Sequence, residues 1–299
     1  MTESSSWNSA PPRSILLSTD LGCRSDRALD RALQLARQWQ ARLVALTVLD
    51  AADMAAVRTR AAGAPQADPV QVAQAQLRAD AAANDVPITV RVGQGAVADT
   101  VLSIAALEKA EFIVVGIARN EALGRVVLGS TVDALVRRAD APVLVVRARP
   151  RHAYERVVVA TDFSATSRRA LNVAVHCFAH ASFTLFHAFN AGSPALADGG
   201  QQRALAVDAA RGAALQACQA FIDASGLPDE VRARMHVDVA HGDPARLLDG
   251  YARDRQADLV VLGTQGRTGL RELLLGSVAQ RVLEVAQGDV LVVRQPRAA

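Results

Sequence analysis

Asp258-Leu-Val-Val-Leu-Gly263-Thr-Gln-Gly266-Arg-Thr-Gly-Leu-Arg-Glu-Leu-Leu-Leu-Gly276-Ser277-Val278 is an apolar run that breaks into a glycine-spaced loop and then into Gly-Ser. Four consecutive apolar residues with no polar alternation describe a strand buried on both faces. The glycines let backbone approach a ligand closely. Gly276-Ser277 opens a helix, whose free N–H groups and dipole suit an anion. The Ser277 hydroxyl can cap that helix or donate to a phosphate oxygen, and Arg267 adds positive charge.

The same pattern stands 147 positions earlier, where Glu111-Phe-Ile-Val-Val-Gly116 leads to Gly129-Ser130. Two further blocks recur in the same order. Arg13-Ser-Ile-Leu-Leu-Ser-Thr-Asp20 matches Arg156-Val-Val-Val-Ala-Thr-Asp162, and Pro142-Val-Leu-Val-Val-Arg147 matches Asp289-Val-Leu-Val-Val-Arg294. The chain is a tandem duplication. The division falls near Arg149-Pro-Arg-His152, giving domains over 13–150 and 151–299 after a polar N-terminal tail, 1–12, expected to be disordered.

Each half alternates strand and helix patterns. In the first, strands are expected at Ile15–Ser18, Leu43–Leu49, Ile88–Val92, Phe112–Val115 and Val143–Val146. Helices fall at about Ser25–Gln40, in an Ala-rich stretch to Ala83, at Val97–Lys109 and at Ser130–Arg138. The second half repeats this, with strands at Val157, Phe183, Met235, Leu259 and Val290. Five strand–helix units predict a doubly wound α/β domain with a parallel sheet, and a ligand site at the carboxyl ends of its strands.

Composition narrows the chemistry. The chain has 299 residues, with 51% hydrophobic, 21% charged and a net charge of +3. That small surplus argues against nucleic acid as a partner. Of the 33 basic residues only Lys109 is lysine, and it follows Glu108 rather than a glycine loop. A Walker-type P-loop is therefore excluded. No run approaches the roughly 18 apolar residues of a membrane span, and the start lacks a signal-peptide core. Three cysteines, Cys23, Cys177 and Cys218, without CxxC spacing fit a reducing cytoplasm.

A second site element follows the first strand of the second half, Thr161-Asp162-Phe-Ser164. Asp162 faces the same crevice and suits a ribose hydroxyl, an adenine edge or metal-bound phosphate. Alternatively, Asp162 or Ser164 only caps the next helix. Weaker signals read as structural. His176 and His180, at i, i+4 on one helix face, lack an evident third metal ligand. Asp243 reads as a cap, Asp249 as a solvated residue, Cys177 as a small buried hydrophobe, and Arg137-Arg138 and Arg168-Arg169 as solvated helix faces.

With these motifs the chain resembles the universal stress protein family in its tandem, bacterial form. The second half carries the whole G-x2-G-x9-G-S/T motif, the T-D-F-S opening and Gly242-Asp243-Pro244. The resemblance implies strand order 3-2-1-4-5 and a pseudo-dimer in which the two fifth strands pair, with a homodimer as a further option. It also implies ATP or another adenine nucleotide as ligand, with Mg2+ as an optional companion. Thr161 and Asp162 would sit near the adenosine. Gly263, Gly266, Arg267, Gly276, Ser277 and Val278 would hold phosphate, and His187 to Phe189 would meet the base through backbone. In the first half Asp20, Gly116, Gly129 and Ser130 match, but Arg119 replaces the second glycine. That site is expected to be weakened, or to grip phosphate through the guanidinium in a shifted pose. The implied role is a cytoplasmic stress sensor or regulator. A slow or autophosphorylating ATPase and a nucleotide-free scaffold are the competing readings.

Overall fold

The computed structural model describes residues 10–21, 26–50, 68–82, 86–117, 129–191, 200–264 and 275–295. The chain divides into two compact units, Pro11–Ala153 and Tyr154–Ala299, the latter grouped with residues 1–10. The first unit holds β1 (Ser14–Thr19), α1 (Asp26–Trp39), β2 (Arg42–Leu49), α2 (Pro69–Ala82), β3 (Ile88–Gln94), α3 (Val97–Leu107), β4 (Phe112–Gly116), α4 (Ser130–Arg138) and β5 (Val143–Val146). Its sheet runs β3-β2-β1-β4-β5, all parallel.

The second unit holds β6 (Arg156–Ala160), α5 (Ala165–Cys177), β7 (Ser182–Phe189), α6 (Gly200–Asp223), α7 (Asp229–Ala233), β8 (His236–His241), α8 (Pro244–Asp254), β9 (Leu259–Gly263), α9 (Ser277–Val285) and β10 (Asp289–Val293). Its order β8-β7-β6-β9-β10, again parallel, is the same 3-2-1-4-5. The third strand of this half starts at His236; the Met235 N–H still serves the preceding turn, donating to the Arg232 carbonyl.

Burial explains the order. Ile15, Leu16 and Leu17 of β1 are fully buried, as are Leu43 to Leu46 of β2 and Phe112 of β4. A strand covered by helices on both faces strongly favours apolar side chains, with Ser14 and Thr47 as buried exceptions. The third strand of each half differs: β3 exposes Thr89 and Arg91, and β8 exposes both its histidines. Helix α1 buries Ala28, Ala32, Leu35, Ala36 and Trp39 at helical spacing, and Trp39 meets Phe112 edge-on at 5.0 Å. In the second unit the Tyr154 hydroxyl donates to Asp289 Oδ2 at 2.5 Å, with both residues buried, and the Tyr154 ring meets Phe178 edge-on at 5.2 Å.

Lys109 follows the end of α3 with φ +49°, and Gln256 does the same after α8 with φ +51°. The single lysine closes a helix. Beside it, Glu108 accepts from Arg91 at 2.8 and 3.0 Å and from Arg42 at 3.1 Å. The Arg91 hydrogen bonds, ahead of Arg42, hold the Glu108 carboxyl below the ordinary carboxylate range against the opposing effect of burial. A carboxyl depressed on folding contributes stability above its unfolded value and loses it as pH falls through the folded one. Glu108→Gln should therefore be less stable than the parent at pH 7, and the gap should narrow as pH falls below the ordinary carboxylate range, measured by urea denaturation across an acid pH series.

Candidate functional site

The site lies in the second unit, where β6, β7 and β9 end. The chain leaves β6 through a tight turn. The Thr161 N–H still donates to the Phe186 carbonyl at 2.9 Å, continuing the ladder. Thr161 Oγ1 then accepts the Phe163 N–H at 3.0 Å and lies 3.1 Å from Ser167 Oγ. Asp162 Oδ1 accepts the Ser164 N–H at 3.1 Å, and Ser164 caps α5 by accepting the Ser167 N–H at 3.2 Å. Phe163 is forced to φ +67°, a conformation that a residue with a Cβ adopts only at a cost of about 1 kcal/mol. The first unit makes the same turn: Thr19 Oγ1 accepts the Leu21 N–H at 3.1 Å, with Leu21 at φ +57°. The Thr161 hydroxyl is thus spent inside the turn, whereas Asp162 is half-buried on the wall of a cleft.

Gly263 ends β9 for a steric reason. A Cβ there would stand 2.8 Å from Thr166 Cγ2, 3.1 Å from the Thr166 carbonyl carbon and 3.2 Å from the Ser167 nitrogen. This glycine lets the first turn of α5 lie against the strand. The next residue, Thr264, is buried; its N–H donates to the Val293 carbonyl at 3.0 Å, and its carbonyl accepts the Gly276 N–H at 2.7 Å. Its hydroxyl is buried with no partner among the described residues.

Gly276, not Ser277, is the N-cap of α9, and no side chain caps this helix. The Ser277 hydroxyl is not the cap that the sequence suggested, because Ser277 already has helical backbone. The Gly276 N–H is occupied by Thr264, which leaves the N–H groups of Ser277, Val278 and Ala279, the first three helical residues, without an intrahelical acceptor. The Gly129-Ser130 start of α4 is built alike, with Gly129 as N-cap. A Cβ on Gly129 would meet nothing within 4 Å, so crowding does not demand a glycine there. Asp20 is exposed and Gly116 ends β4. Gly266, Arg267 and Arg119 lie outside the described residues, as do Cys23 and residues 1–9 of the tail.

Between these ends opens a cleft of about 240 Å³. Phe186, Ala188, Pro244, Leu248, Leu262 and Val282 form an apolar slot; Asp162, His187, Thr264 and Ser277 supply polar groups. Pro244 and Leu248 come from α8, which Asp243 caps by accepting the Arg246 N–H at 3.0 Å. His187 Nδ1 is 2.8 Å from the Thr161 carbonyl, and its ring packs on Phe163 at 4.4 Å. Sequence reasoning reached Ala188, within His187 to Phe189, and Pro244, within Gly242-Asp243-Pro244, but gave no role to Thr264, Phe186, Leu248 or Val282; the only signal for the last two was that they fall on the buried stripes of their helices.

Other expectations resolve individually. Helix α5 ends at Cys177 and Phe178 leaves helical geometry at φ −127°, so His176 and His180 do not share a helix face. His176 Nδ1 instead lies 2.7 Å from the Asn172 carbonyl. Among the described residues no three His, Cys, Asp or Glu side chains group as a metal site. Asp249 is mostly buried, 17% exposed, and pairs with Arg253 at 3.4 Å, so it is not a solvated residue. The arginine pairs are not simply solvated either. Arg137 binds Asp133 and Arg138 binds Asp99, at 2.8 and 2.6 Å. Arg168 donates to the Ala224 carbonyl and stacks 5.2 Å over Phe221. Burial raises both described thiols, Cys177 strongly and Cys218 to about 12. No described helix is long and apolar enough to cross a membrane.

The family model described as the universal stress protein family matches residues 12–147 and again residues 153–294. A universal stress protein of Mycobacterium tuberculosis is 32% identical over 204 residues, 62% of this chain and 63% of its own length. One from Methanocaldococcus jannaschii is 42% identical over 71 residues, 24% of this chain and 42% of its own. The matched stretches thus span less than two thirds of these curated relatives. A functionally unknown protein from Pseudomonas aeruginosa shares the fold with TM-score 0.69 at 21% identity, covering 95% of this chain and 92% of that one. A universal stress protein from Archaeoglobus fulgidus does so with TM-score 0.65 at 18% identity, covering 94% and 98%. With the family model matching each half in turn and five parallel strands in the same order in both, the chain belongs to the universal stress protein family, one copy of its domain in each half.

Proposed function

We propose that the second domain binds an adenine nucleotide, ATP in the first instance, and that the protein acts as a nucleotide-responsive stress sensor or regulator. The observation that carries this is the Thr264 hydroxyl, buried with no partner among the described residues, beside the three N–H groups at the start of α9 that have no intrahelical acceptor. A buried hydroxyl without a partner costs roughly 1–3 kcal/mol, and a phosphate oxygen would satisfy it and the helix terminus together. Asp162 accepts ribose hydroxyls at the other side of the cleft, and the apolar slot takes the base.

Backbone geometry supplies base recognition. In a parallel ladder, alternate residues turn both backbone groups toward the same neighbour. The Phe186 carbonyl faces β6, so the N–H and carbonyl of Ala188 face that side too, beyond Ala160 where β6 ends. One donor and one acceptor side by side match the adenine N1 and amino group. The described walls carry no lysine or arginine, so charge compensation falls to the helix dipole and to Arg267. Among described residues Asp162 is the single cleft carboxylate available to Mg2+.

Denaturing protein purified without added nucleotide should release ATP or a related nucleotide, and calorimetric titration of stripped protein should show a site in the second domain. Gly266→Arg should lower its affinity at least about tenfold, through loss of close backbone approach, and Arg119→Gly should strengthen the first domain. Absence of released nucleotide together with absence of binding would sink the reading, in favour of a scaffold. Steady hydrolysis lost in Asp162→Ala would move it to an ATPase. From the sequence we also propose a cytoplasmic setting, division at residues 149–152, pairing of the two fifth strands and, as a further option, a homodimer, the last tested by analytical ultracentrifugation.

A further inference from the structure

The Thr161 carbonyl occupies a decisive place. Thr161 stands opposite His187 in the continued register of β6 and β7, and its N–H donates to Phe186. In an uninterrupted parallel ladder its carbonyl would accept the N–H of Ala188. It lies instead 2.8 Å from His187 Nδ1. A carbonyl only accepts, so Nδ1 carries the hydrogen. The same imidazole packs at 4.4 Å on Phe163, whose φ of +67° shapes the turn that presents Asp162. One side chain therefore touches both halves of the reading surface, the strand end and the turn. The first domain differs: the residue opposite Thr19 is Thr47, buried and without a ring.

We propose that His187 is a positioning residue for nucleobase recognition. Its Nδ1–H takes the Thr161 carbonyl, which leaves the Ala188 N–H open to an acceptor on the base and holds Asp162 over the ribose. The proposal rests on the nucleotide reading above and adds a selectivity that the reading alone does not require. Adenine N1 accepts the Ala188 N–H, while hypoxanthine N1 bears a hydrogen and meets it donor to donor. The second domain should therefore prefer ATP to ITP, and the preference should depend on His187. In the first domain Thr47 makes no such diversion, so no comparable preference is expected there.

The test is calorimetric titration of the full chain with ATP and with ITP, for the parent, His187→Phe and His187→Gln. The parent is expected to favour ATP by about tenfold or more, the worth of one well-placed hydrogen bond. His187→Phe keeps a ring against Phe163 but has no donor, so the Ala188 N–H returns to Thr161. ATP affinity should fall severalfold toward that of ITP, with ITP affinity unchanged; the residual preference belongs to the Ala188 carbonyl, which accepts the adenine amino group but not hypoxanthine O6. His187→Gln retains a donor and should restore part of the preference; it also serves if the Phe variant folds poorly. Equal loss of ATP and ITP affinity in step with a falling melting temperature would make His187 merely structural and overturn the proposal. An unchanged ATP preference in His187→Phe would overturn it as well, with nucleotide binding itself intact. A parent that binds neither nucleotide would overturn the nucleotide reading and this proposal together.

Discussion

Replacing Gly263 by alanine is expected to destabilise the second domain by about 2 kcal/mol, the usual cost of forcing an extra carbon into a packed interior. The added Cβ would stand 2.8 Å from Thr166 Cγ2 and just over 3 Å from two backbone atoms of α5. Thr166 and Ser167 are buried, so the helix has to lift from the strand. Ser167 also holds Ser164 and Thr161, so the shift reaches the turn that presents Asp162. The variant should lose melting temperature and nucleotide affinity together. Gly250, inside α8, is the control, since a Cβ there meets nothing within 4 Å. Gly250→Ala should stabilise by up to about 1 kcal/mol, the helix-propensity difference. Equal effects from the two alanines in urea denaturation would show that the crowding at Gly263 is relieved at no cost.

Asp289→Ala should cost about 3 kcal/mol, near the upper range for a charge-assisted hydrogen bond lost with its partner left buried. Asp289 is 1% exposed and opens β10 beside Leu259. Its Oδ2 accepts the hydroxyl of Tyr154, whose ring packs edge-on against Phe178 near the end of α5. Tyr154→Phe keeps the ring and should cost only about 1 kcal/mol. Combining the two should cost clearly less than their sum, because each removes the same bond. Additive losses in equilibrium unfolding would mean that Asp289 acts through other contacts.

The strands were legible because burial on both faces disfavours polar residues, as in Ile15-Leu-Leu17 and Leu259-Val-Val-Leu262. The duplication made each half a check on the other, and Asp243 was read correctly as a cap. What failed turned on single backbone dihedrals or on contacts across elements. His180 sits past the end of α5 because Phe178 leaves helical geometry, which no spacing rule sees. Ser277 is the usual capping residue type, yet Gly276 takes that place. Gly263 was read for its place at the ligand; that its absent side chain also makes room for α5 was not legible. Asp249 looked solvated until Arg253 came back to it one helical turn later. Thr264 could not be singled out, and His187 was reached only as part of the backbone edge His187 to Phe189, because the meaning of both side chains depends on where a neighbouring strand stops.

In both halves the strand made first sits in the middle of the sheet. Ile15 is flanked by Leu43 on one side and by Phe112 on the other, and Val157 by Phe183 and Leu259. A growing chain can zip β1 to β2 early, but the opposite flank of β1 stays open until β4 has left the ribosome. Domains of this size generally fold as units during synthesis, and an unpaired apolar strand edge is a template for wrong partners. Each copy therefore passes through a window in which its central strand, with Ile15 to Leu17 or Val157 to Val159 at its heart, has one bare edge. Pauses in translation before Phe112 or before Leu259 would lengthen that window, and the demand for chaperone protection should peak there, twice per molecule synthesised.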